Sequence, residues 1–227
     1  MNPDWLTRGA FTDVAVTRPS TMMQIRDALE QQLGGEQRKL RLVYFPPYQT
    51  LRHVYWWRQG AERFVEAQFV AELSRIHAVL SLGLSVEKGR EEMDARWDWH
   101  RFLKQLPVIL NHDLPKVARV LRAPIEFRVR SRRDVRGASD AWEIRSFCLA
   151  DKRWFHRHYG DTTVTKICDY LRELGEREDT WVIVHCVRDY FPDDVKNLNV
   201  LEAASTLAAF DGIRQRIRPR TRRGRRT

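Results

Sequence analysis

VEAQFVAELSRIHAVLSLGLSV, residues 65–86, is the stretch whose reading decides the fold class. Val65, Ala67, Phe69, Ala71 and Leu73 alternate with Glu66, Gln68, Val70 and Glu72. Beyond Ser74 and Arg75, Ile76, Ala78, Leu80, Leu82, Leu84 and Val86 alternate with His77, Val79, Ser81, Gly83 and Ser85. Successive side chains of an extended chain face opposite ways, so this sustained period of two predicts two half-buried antiparallel strands. A helix over the first half is the alternative, because Glu and Ala are poor strand residues.

The flanking segments extend the pattern. KLRLVYF (39–45) and LRHVYWW (51–57), separated by Pro46, Pro47 and Tyr48, add two strands and complete a meander of about four. Upstream, VAVT reads as a short strand. A helix follows, with Met22, Ile25, Leu29 and Leu33 on one stripe and Gly34 and Gly35 as its stop. Downstream, EEMDARWDWHRFLKQL and LPKVARVL predict two helices, the second with Pro115 in its first turn. IEFRVRSRR and AWEIRSFCL predict two strands joined by the turn-rich DVRGASD. A helix over about 162–174, ending at Gly175, precedes WVIVHCVRDYF (181–191), a strand apolar enough to be covered on both faces. From FPDD one long helix runs to about Arg216. The expected fold is α+β, a largely antiparallel sheet packed by helices. Residues 1–213 form one domain, with a two-lobe split near residue 123 as the alternative, and 214–227 form an Arg-rich flexible tail.

The charge is concentrated. The chain of 227 residues carries +10, with 33 Arg and seven Lys. Arg214, Arg216, Arg218, Arg220, Arg222, Arg223, Arg225 and Arg226 supply eight of the positive charges, which leaves residues 1–213 with 32 basic against 30 acidic side chains. A run of like charge of this kind points to a polyanion, nucleic acid before a membrane surface, since no apolar residues accompany it for insertion into lipid. Three cysteines, no signal-like start and no long apolar run imply an intracellular protein, cytoplasmic or nucleoid-associated or nuclear, with no membrane insertion. Neither a phosphate-binding P-loop nor a dinucleotide, serine-hydrolase or zincin motif is present.

A second basic cluster, RVRSRRDVR, would be folded and therefore positioned. On a strand Arg128, Arg130 and Arg132 share one face, with Arg133 and Arg136 in the adjoining turn. Such a row can follow a phosphate backbone, unless Glu126, Asp134, Asp140 and Glu143 neutralise it. A third cluster, DKRWFHRHYGD (151–161), adds Trp154 and Arg157 as base and phosphate contacts. Exposed aromatics at 55–57 or at Trp154 are the candidates for stacking on an unpaired base.

Arg153 and His158 in that cluster form an R-x-x-x-x-H spacing that resembles the motif of HEPN-type ribonucleases. The resemblance implies proton transfer by the His on an RNA 2′-hydroxyl, in a family that is all-helical, whereas strands flank the motif here. Read from the residues alone, Arg153, His156 and His158 form a candidate acid/base and phosphate-clamping group. Two acidic sets, Glu62–Glu66–Glu72 and Asp140–Glu143, offer a magnesium site; Glu143-Ile144-Arg145 approximates the D/E-x-K element of PD-(D/E)xK nucleases, with Arg in place of Lys. Cys148, Cys168 and Cys186 with the neighbouring histidines lack zinc-knuckle spacing and read as buried apolar residues. The expectation is a nucleic-acid-binding protein without a cofactor. A nuclease, metal-free at Arg153/His156/His158 or dependent on Mg2+ at an acidic strand, is the first alternative. A protein–protein module with the tail as address or assembly signal is the second.

Overall fold

A computed structural model of the protein describes residues 19–34, 39–48, 51–58, 67–74, 79–88, 97–133, 142–177, 179–195 and 198–218. The VAVT strand and the stretch from Pro219 to Thr227 lie outside the described residues. The first described element is α1 (Pro19–Gln32). Four strands follow, β1 (Leu40–Tyr48), β2 (Leu51–Arg58), β3 (Gln68–Ser74) and β4 (Val79–Lys88). A helical stretch then carries α2 (Trp97–Val108), a π turn (Ile109–Asp113) and α3 (Leu114–Leu121). Next come β5 (Ile125–Arg133), β6 (Glu143–Ala150), β7 (Arg153–His156), β8 (Gly160–Thr162) and α4 (Val164–Glu176). The last elements are β9 (Thr180–Tyr190), α5 (Pro192–Val195), α6 (Val200–Ala209) and α7 (Asp211–Ile217).

All nine strands join one antiparallel sheet in the order β1-β2-β3-β4-β9-β5-β6-β7-β8. The fold is therefore α+β with a large antiparallel sheet and packed helices, and its first four strands form the expected meander. The apolar strand β9, near the end of the chain, inserts between β4 and β5, and Val184, His185, Cys186 and Val187 are buried on both of its faces. That insertion needs a residue without a side chain at Gly83, where a Cβ would overlap the Cys186 carbonyl oxygen.

One face of the sheet is apolar. Phe69, Leu82, Leu84, Phe127, Val129 and Val184 lie there, against the buried stripes of α1 (Ile25, Leu29), α2 (Phe102, Leu106) and α4 (Ile167, Leu171). The opposite face, expected to be exposed, is buried as well. Gln68 and Glu72 of β3 and Ser81 and Ser85 of β4 are each at most 3 % accessible. Glu72 and Ser81 are paired there, as described below, whereas Gln68 Oε1 and Ser85 Oγ have no hydrogen-bond partner among the described residues.

Three helical expectations change. The two middle helices form one helical run with a π turn, since Pro107 and Pro115 each lack the N–H that the ladder needs. Gly175 lies inside α4 rather than after it. A Cβ there would stand 3.1 Å from Trp99 Nε1, so this glycine lets α2 approach α4. The long final helix is three helices, because Asn199 and Glu202 close a capping box that starts α6 afresh: the Glu202 amide bonds Asn199 Oδ1 and the Asn199 amide bonds Glu202 Oε2, both at 3.0 Å.

Candidate functional site

The basic row on β5 is spent internally. Arg128, Arg130 and Arg132 share a face, as alternation requires, but that face is the buried polar one. Arg128 donates to both oxygens of Asp189 at 3.0 and 3.2 Å, and lies 3.4 Å from Glu72. Arg130 bonds the same Glu72, whose other oxygen is 2.9 Å from His185 Nδ1. Ser81 donates to Asp189 at 2.6 Å, and Arg157 grips one oxygen of Glu126 at 2.7 and 3.0 Å. Burial opposes the charge on Arg128, yet Glu72, Asp189 and Glu126 together hold its pKa above the usual guanidinium value. This is a charge network between strands, not an open phosphate track. Arg132 is half-buried; the side chain of Arg133 and all of Arg136 lie outside the described residues.

Other candidates are also redistributed. Trp154 is buried and its indole N–H donates to the Leu110 carbonyl at 3.3 Å, so its ring is core rather than a stacking surface. Tyr55 and Trp56 are likewise buried. Arg214 belongs to α7: it is 4 % accessible, bonded to Asp211 and set over the Phe69 ring at 5.0 Å. Arg216 bonds Asp113, and Arg218 closes the C-terminus of α7. Arg220, Arg222, Arg223, Arg225 and Arg226 lie outside the described residues.

The proposed acid/base group is not assembled. Arg153 and His156 are three apart on β7, so their side chains leave opposite faces. The Arg153 guanidinium carbon lies 5.8 Å from the Phe155 ring centre, whereas His156 is buried on the helix side against Phe147. Burial first, then His158 and Arg145, lowers the His156 pKa, and its Nδ1 accepts the His158 amide at 3.1 Å. Burial pushes the Cys148 thiol up to about 11 and Cys186 to about 12, which disfavours both as thiolate nucleophiles or metal ligands. Among the described residues no group of three or more His, Cys, Asp or Glu is placed to hold a metal ion. Glu62, Glu66 and Asp140 lie outside them, Glu72 belongs to the buried network, and Glu143 pairs with Arg145 at 2.9 Å.

What the fold does assemble is a cleft of about 1090 Å³ between α3 and the β6–β8 corner of the sheet. Leu110, Leu149 and Trp154 lie among its walls, and Arg119, Arg122, Lys152 and Arg153 bring four cations to it against two acids, Asp151 and Asp161. Among the described residues none of those four cations is in an ion pair. The N-terminus of α4 also meets the cleft. Thr163 caps it by accepting the Lys166 amide at 3.3 Å, and the Val164 and Thr165 amides have no carbonyl within the helix. Free amides and the helix dipole both favour an anion there.

No known family, curated protein or solved structure matches this chain. The backbone of the cleft itself is therefore the most informative observation. Arg122, Asp151 and Lys152 have φ of 48°, 48° and 63°, and they are the three non-glycine residues of the described chain with positive φ. All three line the cleft. Arg122 ends α3 where glycine is favoured, and Asp151–Lys152 form the two-residue turn between Ala150 and Arg153 that wants Asn-Gly. Each left-handed side chain costs about 1–2 kcal/mol, and such strain gathers at functional sites. Sequence reading named Lys152 and Arg153 within their cluster but not Arg119 and Arg122, whose R-x-x-R spacing on one side of a helix end was the available signal.

Proposed function

We propose that this protein binds nucleic acid through its phosphate backbone, with the primary contact in the cleft between α3 and the β6–β7 turn. The coincidence of left-handed backbone with cations that, among the described residues, are in no ion pair carries the reading. Glycine would relieve the strain at Arg122 and Lys152, yet two long cations stand there. The Arg-rich stretch beyond Arg218 adds sequence-independent affinity. The cleft, not the β5 row, supplies the folded contact, because Arg128 and Arg130 are committed to Glu72 and Asp189. Among the described residues Asp151 and Asp161 are the acids lining the cleft and no His lines it, so binding rather than cleavage is the activity proposed.

The test is the double substitution Arg122→Gly with Lys152→Gly. It removes two charges while relaxing the backbone, so the melting temperature should hold or rise. The slope of log affinity against log salt should shrink by about 1.4 for a single strand or 1.8 for a duplex. A variant with unchanged affinity and slope would remove the cleft from the account.

A further inference from the structure

We infer that the strand held by this cleft is unpaired, and that one of its bases stacks on Tyr159. This rests on the cleft reading and names its substrate class. Tyr159 stands at the tip of the β7–β8 hairpin and is 81 % accessible, the most exposed large apolar or aromatic residue described. Exposure alone would mean little. The tip is fixed, however, by three bonds: the Tyr159 amide to the His156 carbonyl at 3.3 Å, the His158 amide to His156 Nδ1 at 3.1 Å, and the Arg157 amide to the Ser146 carbonyl at 3.0 Å. Arg157 is further tethered through Glu126, and Gly160 takes the positive φ of 76° that lets the chain re-enter β8.

The ring is backed from inside. Its centre lies 4.5 Å from that of His156, which meets the edge of Phe147 at 5.1 Å, which in turn packs on Phe127 at 6.3 Å. A line of rings thus runs from the core to Tyr159 and leaves it open to solvent as a preordered platform. Its position relative to the cleft matches one strand. Arg153, a cation at the cleft, and His156, under Tyr159, lie three residues apart on β7, about 10 Å along the strand. Three stacked nucleotide rises cover about 10 Å. A strand with phosphates in the cleft therefore brings a base to Tyr159, whereas a duplex keeps its bases inside the stack. Stacking on a tyrosine is tolerant of base identity.

Binding of a labelled oligothymidylate, the same strand made abasic, and a duplex should be measured for the wild type, Tyr159→Ala and Tyr159→Phe. Stacking predicts that Tyr159→Ala weakens the intact single strand roughly 5- to 150-fold while Tyr159→Phe retains affinity. Tyr159→Ala should leave the abasic strand, the duplex and the salt slope unchanged. No change on the intact strand would overturn the inference and make Tyr159 a protein contact or an idle surface residue. Equal losses on intact and abasic strands would also overturn it. The Arg122→Gly/Lys152→Gly variant, run alongside, separates the two claims: if it weakens binding and Tyr159→Ala does not, the cleft stands and the unpaired-strand inference falls.

Discussion

Glu126 shows how individual residues on the polar face respond to pH. Burial raises its pKa above the usual carboxylate value, and Arg157, by hydrogen bond and charge, offsets only part of that. Asp189, Arg128 and Cys148 are the other ionisable groups that act on it or beside it. A carboxyl whose folded pKa is raised binds more protons folded than unfolded, so its contribution to stability falls as pH rises from the ordinary carboxylate range to the raised value. Chemical denaturation from pH 4 upward should therefore show a declining component for the wild type that is absent in Glu126→Gln. Glu72, on the same face, is bonded to Arg130 and His185 and lies near Arg128. Glu72→Gln removes a carboxylate that Arg130 and His185 share in a buried network and should cost about 3–5 kcal/mol at neutral pH, read from the denaturation midpoint. These partners were not legible in the sequence, because residues 72, 128 and 189 meet only across β4 and β9. The alternation did place Arg128, Arg130 and Arg132 on one face; what it could not show was that the face is buried.

At the level of elements, legibility followed length. The runs that became β3, β4, β5, β6 and β9 are seven to eleven residues long, enough for period two or a continuous apolar run to register. β7 and β8 have four and three residues, and the turn before β7 carries Asp-Lys instead of Asn-Gly, so the corner of the sheet that builds the cleft read only as a basic turn. The α6 start was legible but overlooked: N-x-x-E at 199–202 is a capping signal inside a stretch otherwise uniform enough to pass for one helix. Because Asn199 satisfies one orphan amide and receives Glu202 in return, Asn199→Ala should cost about 1 kcal/mol, measured as a shift of the urea midpoint at constant slope. It should leave nucleic-acid affinity unchanged, since α6 does not line the cleft.

The molecule as a whole depends on late segments of its chain. β9 pairs with β4 on one side and β5 on the other, so the sheet that joins the two halves of the sequence closes only when residues 180–190 arrive. The C-terminal charge run likewise begins inside the scaffold. Ile217 and Arg214 are buried, Asp211 holds Arg214, and Arg216 ties α7 to Asp113. A boundary drawn at residue 213 from the charge run alone therefore cuts through packed structure. A chain ending at Ile213 should melt lower than the full chain, through loss of buried Ile217 and exposure of the apolar surface it covers. A chain ending at Arg218 retains all of α7 and should melt as the full chain does. The cut after Arg218 removes the five arginines Arg220, Arg222, Arg223, Arg225 and Arg226. Its salt slope should fall by up to about 3.5 on a single strand. If cleft binding to that shortened chain persists with a residual slope of about 1.4 or more, folded and tail contacts add separately. Loss of all binding on cutting after Arg218, with the melting temperature intact, would place the affinity in the tail alone and leave the strained cations at Arg122 and Lys152 without a role in binding nucleic acid.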